Sequence, residues 1–252
     1  MLNIVIPMAG AGSRFALAGY TDPKPLIRIH GTPMIQVVID NLRPAVPHRF
    51  VFICQRSHVQ AYGLEPLLAQ WAPGCVVRQL DGVTQGAACT VLTARDLIAT
   101  RDPLMIANSD QFIDAAIDDY LRDMERPGVD GLIMTMKADD PKWSFVELGP
   151  GGFVRRVVEK EVISDEATVG IYNFRHGADF VRAAECMIAR DLRVNGEFYV
   201  APVYNLLIEQ AARIAIHNVG SVGRGMHGLG TPADLERFVG LAASSQVAGR
   251  RP

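Results

Sequence analysis

Along the first half of the chain, short apolar runs bounded by turn residues alternate with stretches in which apolar positions return every three or four residues. Ile4-Val5-Ile6 (closed by Pro7), residues 50–53, Val76-Val77 and Leu104–Ala107 are too short for helices and predict buried strands. Between them Met34, Ile35, Val38, Ile39 and Leu42 share one helical face. Thr32 is its predicted N-cap, Pro33 its first helical position, and Pro44 and Pro47 lie beyond its end. A second helical stretch surrounds residues 65–71, and an amphipathic segment runs from Ala88 through Leu97. This alternation predicts an α/β domain in which helices cover both faces of a parallel-rich sheet, with ligands at the carboxyl ends of the strands.

From residue 131 the pattern turns to short strands at 132–136, 144–148, 153–158 and 168–174, with Gly149-Pro150-Gly151-Gly152 as a hairpin connection. An amphipathic helix follows over 178–190, its stripe made by Phe180, Val181, Ala184 and Met187, and another over 203–210. Gly230-Thr231-Pro232 opens a last helix, where Thr231 and Asp234 stand at capping-box spacing. Residues 244–252 read as a frayed tail.

Composition excludes several classes. A hydrophobic fraction of 49% with 21% charged residues is that of a globular domain, and 252 residues suffice for one substantial core. The formal net charge of −2 gives no general attraction to nucleic acid or an anionic membrane, so a polyphosphate has to be held by local cations or metal, with Arg14, Lys24 and Lys160 as candidates. No apolar run approaches membrane-span length and the N-terminus enters a strand directly, which makes the cytoplasm the expected location. Cys54, Cys75, Cys89 and Cys186 form no C-x-x-C pair and predict buried free thiols, not a zinc site or disulfide framework.

Candidate chemistry begins where the first strand ends, at Met8-Ala9-Gly10-Ala11-Gly12-Ser13-Arg14. Gly10 and Gly12 permit positive φ and close backbone approach, so successive N–H groups can cradle phosphate oxygens, and Arg14 adds a charged fork. The spacing is not that of a Walker A loop, and Phe15 stands where the dinucleotide fingerprint has its third glycine. Lys24 lies between Pro23 and Pro25; Pro25 is expected to keep it out of the helical region, presenting the ammonium with little backbone freedom to lose. Residues 79–88 carry two glutamines and two glycines, residue types suited to reading a base edge. Asn108-Ser109-Asp110 follows a strand, where a carboxylate is placed to hold Mg²⁺ or Mn²⁺. Capping is left to Asp114, at the start of a helix carrying Ile117, Tyr120, Leu121 and Met124.

These motifs, G-x-G-x-R, P-K-P-L, the aspartate after a strand, Glu159-Lys160 and the final G-T-P, occur in an order that resembles the nucleotidyltransferases that join an NTP to a phosphorylated sugar or amino alcohol. The resemblance covers nearly the whole chain. It implies a Rossmann-like, three-layer α/β/α fold with a mixed central sheet, and nucleotidyl transfer with release of pyrophosphate. Residues 1–243 then form one domain, 1–130 mainly for the nucleotide and 131–243 mainly for the acceptor. By resemblance the glycine loop, Arg14 and Lys24 hold the triphosphate, a Q-x-G-type segment drawn from Gln79, Gln85 and Gly86 reads the base, and Ser109 and Asp110 complete the nucleotide and metal site. Lys160 meets the acceptor's phosphate and Glu159 its hydroxyls; Gly170, in Val169-Gly170-Ile171-Tyr172, admits the substrate ring, and Glu197 touches the substrate. Trp143-Ser144 stands where sugar-specific members carry a small glycine, which implies a different acceptor shape.

Gly228 occupies the place of a second metal-binding aspartate, so the metal is expected to rest chiefly on Asp110, with Glu197 or His227 as neighbours. The implied partners are an NTP, with CTP, UTP, dTTP and GTP all open, and a phosphorylated small-molecule acceptor; neither nucleic acid nor membrane is expected, and a homo-oligomer is left open. The stretches NGEFYVAPVYN and TVGIYNF resemble members attached to capsule and surface-polysaccharide pathways. Two rivals share parts of this pattern. A glycosyltransferase using a finished nucleotide sugar commonly carries Asp-x-Asp, and here Asn108 precedes Ser109-Asp110; a non-catalytic regulatory relative is expected to lack Arg14, Lys24 or Asp110, and all three are present.

Overall fold

The computed structural model describes residues 1–10, 12–244 and 247. Its strands are β1 (Leu2–Met8), β2 (Arg28–Ile29), β3 (Thr32–Pro33), β4 (His48–Gln55), β5 (Val76–Leu80), β6 (Leu104–Ala107), β7 (Gln111–Ile113), β8 (Gly131–Lys137), β9 (Ser144–Leu148), β10 (Val154–Glu159), β11 (Glu166–Phe174), β12 (Ile214–Val222) and β13 (Gly225–Gly228). The helices are α1 (Ser13–Leu17), α2 (Met34–Leu42), α3 (Arg56–Tyr62), α4 (Leu64–Trp71), α5 (Ala87–Leu92), α6 (Arg95–Ile98), α7 (Ile117–Asp123), α8 (Gly177–Ala189), α9 (Val203–Ile208) and α10 (Pro232–Val239).

One large sheet runs in the order β5-β4-β1-β6-β11-β8-β12-β13-β7, with the β9–β10 hairpin attached to β11. β5, β4, β1 and β6 are mutually parallel, whereas β11 lies antiparallel between β6 and β8. The sheet is therefore mixed, in a three-layer α/β/α fold. Strand alternation assigns the layers: Ile4 and Ile6 face α2, α4 and α7, while Val5 faces α5, α8 and α9. Pro7 lies inside β1 without breaking it, because β1 pairs with β6 only through Val5 and the later residues have a neighbour on one side alone.

A third apolar cluster matters most for the site. Phe15, Ile27, Ile29, Met34, Phe112, Leu229, Leu235 and Phe238 pack together and tie the loop after β1, the Lys24 turn, the β7–β13 ribbon and α10 into one body. Phe15, 1% exposed, is an anchor of that cluster, which accounts for a bulky residue where a dinucleotide site needs glycine.

Several expectations are corrected. α2 starts at Met34 with Pro33 as its N-cap and no side-chain cap, because Thr32 and Pro33 pair as a strand with Arg28 and Ile29 across a turn at Gly31. Asp114 does not cap α7, whose N-cap is Ala116; the pairing of β7 with β13 instead carries Asp114 against Gly225 and His227, and its carboxylate accepts from both. The segment through Leu97 is two short helices, since Thr93 and Ala94 interrupt the ladder between α5 and α6. Ser244 is buried and pairs with His30 at 2.8 Å, so packing continues past the expected start of the tail; residues 245, 246 and 248–252 lie outside the described residues. The four cysteines are free, and only Cys54 is fully buried, its thiol pushed up to about 12 chiefly by that burial. Among the described residues no helix is long and apolar enough to cross a membrane.

Candidate active site

β1 and β6 are adjacent, yet the chain leaves β1 toward β4 on one side and returns to β6 on the other. A crevice opens at the carboxyl ends of two such strands, and the loops after both carry the candidate residues. In the first loop Gly12 adopts φ 62° and opens α1, and a Cβ on it would stand 3.5 Å from the Cβ of Lys24. Gln55 donates to the carbonyl of Ala9 at 2.7 Å and fixes the loop where it leaves the buried Met8. Gly10, unlike Gly12, has no positive φ, and apart from its chain neighbours no atom of the described residues would lie within 4 Å of a Cβ there. Ala11 lies outside the described residues. Arg14, just after Ser13 at the start of α1, is exposed and makes no ion pair among the described residues.

Pro25 does not exclude Lys24 from helical geometry. Lys24 opens a 3-10 turn over Lys24–Leu26, closed by Leu26 N–H donating to Pro23 O at 2.8 Å; proline is tolerated in a first turn, where its missing N–H has no partner to lose. The Lys24 ammonium donates to Oδ2 of Asp110, and the pair is only 22% and 26% exposed, so it is screened less than a surface pair. Gly230 makes this geometry possible: a Cβ there would come within 2.7 Å of Asp110 Oδ2 and 3.9 Å of Lys24 Nζ. Leu229 N–H donates to Asp110 O at 2.8 Å and joins the last motif to the loop after β6. The G-T-P stretch is therefore part of the site as well as a helix start, with Thr231 accepting from Asp234 N–H at 3.1 Å.

The expected metal neighbours are not brought to Asp110. His227 is 4% exposed, packs against Phe112 and Phe238, and holds Asp114 at 2.8 Å. Glu197 instead acts on Glu159 and Tyr199 across the acceptor side. A Cβ at Gly228 would stand 3.7 Å from the Asp234 carboxyl, which is already held by the Thr231 hydroxyl at 2.7 Å. Among the described residues no three His, Cys, Asp or Glu side chains form a metal cluster. One carboxylate in a close cradle fits Mg²⁺, which takes one or two carboxylates and fills its remaining positions with waters and substrate phosphates.

Beyond Asn108 lies a cavity of about 280 Å³, lined among others by Trp143, Ser144, Glu159, Gly170 and Tyr199. Glu159 is buried and accepts a hydrogen bond from the Ser144 hydroxyl. Burial pushes its carboxyl above the ordinary range; Ser144 and Lys160 oppose that, and Glu197 adds to it. Lys160 sits at φ 58°, its N–H donating to Trp143 O at 3.0 Å and its ammonium to the Tyr199 hydroxyl at 2.6 Å, which holds the ammonium's pKa up. The buried indole N–H of Trp143 has no hydrogen-bond partner among the described residues. The Cβ side of Gly170 is filled, since a Cβ there would meet Asn108 Nδ2 at 2.2 Å and Gln111 Oε1 at 2.8 Å, while the glycine still lines the cavity.

The Glu159 shift has a pH consequence. The folded state binds this proton more tightly than the unfolded chain does, so the stability it contributes is complete below the ordinary glutamate value of 4.5 and is lost as pH rises through the raised pKa. Glu159→Gln should therefore flatten the fall in thermal midpoint with rising pH above 4.5, measured by circular dichroism; a slope equal to that of the wild type would show that Glu159 does not carry it.

The two glutamines separate. Gln79 is in edge strand β5 with its amide against Arg56 at 3.3 Å and Glu65 at 3.5 Å, whereas Gln85 reaches Arg193 at 2.8 Å. Gly86 has φ 125°, but the place of its Cβ is filled by the Phe198 backbone, whose oxygen is 2.5 Å away, and not held open for a base. Asn108, Gly230 and Arg193 were not singled out for chemistry in the sequence. Only Gly230 carried a signal, as the glycine of the G-T-P motif.

Known proteins resemble this chain along most of its length. The family model described as nucleotidyl transferase matches residues 4–191. The bifunctional protein GlmU of Burkholderia orbicola is 28% identical over 214 residues, 82% of this chain and 45% of the relative. The mannose-1-phosphate guanylyltransferase catalytic subunit beta of Danio rerio is 25% identical over 188 residues, 69% of this chain and 49% of the relative. The chain thus spans about half the length of these relatives. Among solved structures, a nucleoside-diphosphate-sugar pyrophosphorylase from Vibrio cholerae superposes with a TM-score of 0.78 at 26% identity, covering 94% of this chain and 99% of that one.

Proposed function

The chain belongs to the nucleotidyl transferase family, and from that premise we propose that it joins the NMP of an NTP to the phosphate of a small acceptor and releases pyrophosphate. The observation that carries this reading is the Lys24–Asp110 pair, cradled by Gly230 at the carboxyl ends of β1 and β6, with a cavity lined by Asn108, Glu159 and Tyr199 beyond it and the Lys160 ammonium on the Tyr199 hydroxyl. An oxygen of the acceptor's phosphate attacks the α-phosphorus, the bond to the bridging oxygen of the β-phosphate breaks, and that oxygen leaves with the pyrophosphate. No general base is required, since a phosphate monoester has a second pKa of about 6 and is largely ionised at neutral pH.

In this reading the backbone around Gly10 and Gly12, with Arg14 and Lys24, holds the triphosphate, and Lys160 orients the acceptor's phosphate. Mg²⁺ at Asp110 supplies Lewis-acid neutralisation of the phosphates when bound. The acceptor class proposed is a sugar 1-phosphate or an amino-alcohol or amino-acid phosphate. Trp143, in place of a small residue at the cavity wall, supports an acceptor shaped unlike a plain hexose phosphate. The sequence likeness of the NGEFYVAPVYN and TVGIYNF segments supports a place in surface-polysaccharide synthesis.

Incubation with each NTP, Mg²⁺ and a panel of phosphorylated acceptors should release pyrophosphate with one pairing. Sugar transfer from a finished nucleotide sugar, without pyrophosphate release from any NTP, would support the glycosyltransferase reading instead. Lys160→Ala should raise KM for the acceptor about tenfold or more while leaving KM for the NTP within twofold, because the lysine contacts one substrate only. Steady-state kinetics with each substrate varied in turn checks this, and equal weakening toward both would remove Lys160 from the acceptor side.

A further inference from the structure

A second cavity, of about 390 Å³, lies at the amino ends of β1, β4 and β6, the opposite edge of the sheet from the candidate active site. Leu2, Pro47 and Pro103 wall it where those strands begin, and Leu121 and Met124 close it from the end of α7. Its volume is that of a small-molecule site. One lining residue breaks the apolar pattern. Strand alternation puts Asn173 of β11 on the same face as Ile171, which packs with Leu2 in the layer beneath α7. Its cross-strand neighbours there are Met105 and Leu132, both buried. Asn173 is 2% exposed, and its side-chain oxygen has no hydrogen-bond partner among the described residues. Asn3, buried at the same edge of the sheet, differs: its oxygen accepts from Arg49 Nη2 at 2.7 Å. A buried amide left without a partner carries a desolvation cost that a ligand's hydrogen bond would offset. The charged lining residues, Glu125 and Arg175, are of opposite sign, and Arg175 already donates to the carbonyls of Val129 at 2.5 Å and Met124 at 2.8 Å.

We propose that this cavity is a second ligand site, which takes a neutral, largely apolar small molecule carrying one hydroxyl or carboxamide that pairs with the Asn173 amide. The apolar walls supply affinity by removing ligand surface from water. A hydroxyl or carboxamide both donates and accepts, so it can serve the amide oxygen. A carboxylate or an ammonium would lose its hydration among apolar walls without a buried countercharge, which disfavours both. The site is separate from the phosphate loop. At a rise of about 3.3 Å per residue, Leu2 in the cavity wall stands about 20 Å along β1 from Met8, where the glycine loop begins. The proposal therefore stands independently of nucleotidyl transfer.

The test is an NMR titration of the full chain, isotope-labelled at its methionine methyl groups, with toluene, benzamide, benzoate and benzylammonium, which share one ring and differ in polar group. Benzamide should shift the Met124 resonance and leave Met8 unmoved, and should bind about fivefold more tightly than toluene, the worth of one hydrogen bond. Both charged probes should bind more weakly than benzamide. Asn173→Leu should reverse the order of benzamide and toluene. Without any probe it should hold or raise the thermal midpoint, because an apolar side chain of similar size replaces an orphaned polar one. Leu121→Trp, which fills the cavity from α7, should abolish the shift with both neutral probes. The proposal is overturned by an unmoved Met124 up to the solubility limit of the probes, by equal affinity for toluene and benzamide in the wild type, or by tighter binding of either charged probe. An order unchanged in Asn173→Leu, or a lower midpoint for that variant, overturns it as well, since the amide would then be idle or already satisfied. A Met124 shift that follows protein concentration without any probe would make this face a contact between copies of the chain and also overturn it.

Discussion

Asp110→Asn should lower kcat/KM on the order of 10³-fold, about 4 kcal/mol of transition-state stabilisation, with the thermal midpoint close to that of the wild type. Asparagine is nearly isosteric and keeps an oxygen within reach of Lys24, so the cradle at Gly230 still closes. What it loses is the full negative charge that binds Mg²⁺, and among the described residues no group of three His, Cys, Asp or Glu side chains stands there to compensate. Raising Mg²⁺ should recover part of the loss, because the nucleotide's phosphates still offer most of the coordination. A pyrophosphate assay over a Mg²⁺ series reads both effects; an enzyme at full rate in low Mg²⁺ would place the metal away from Asp110. Gly230→Ala makes a useful companion, since its Cβ would press on Asp110 Oδ2 without touching the charge. It should lose activity while retaining the response to Mg²⁺.

The parallel half of the fold was legible because its strands are buried on both faces and read as short apolar runs, as in residues 50–53 and Leu104–Ala107. β12 and β13 were not legible. Ile214–Val222 carries His217, Asn218 and Gly220 within one strand, and Gly225–Gly228 is half glycine, so neither shows a periodicity that local reading detects. Their pairing is set by β8 and β7, elements distant in sequence. The same reason explains the site. Lys24 and Asp110 were singled out because each lies in a local motif, but their contact and the glycine that permits it belong to three separate stretches. Asp114 and His227 show the converse, for each had a plausible local task and each is taken by the other across the β7–β13 ribbon. Gly170 and Gly86 were singled out as glycines that make room for a substrate ring and a base, and in the structure the Cβ side of each is occupied by protein. The occupying atoms belong to Asn108, Gln111 and Phe198, which no spacing in the sequence connects to them.

Lys24→Met should move catalysis and metal binding in opposite directions. The ammonium faces phosphates whose charge reorganises during transfer, so its loss should cost about 2 to 4 kcal/mol in kcat/KM. In the protein without nucleotide the same ammonium donates to Asp110 Oδ2 and competes with a cation for that oxygen. Wild type should therefore bind Mn²⁺ weakly without an NTP, and Lys24→Met should bind it several-fold more tightly, as counted by the free Mn²⁺ signal in electron paramagnetic resonance. Arg14→Ala supplies the contrast, since Arg14 makes no ion pair among the described residues: activity should fall by a similar factor with Mn²⁺ affinity unchanged. Methionine keeps the length of the lysine stem and its packing beside Gly12, so a large drop in thermal midpoint is not expected. If Mn²⁺ binding is equal in wild type and Lys24→Met, the ion pair does not guard the carboxylate. If Lys24→Met and Arg14→Ala both retain activity within twofold, the loop after β1 does not hold a triphosphate.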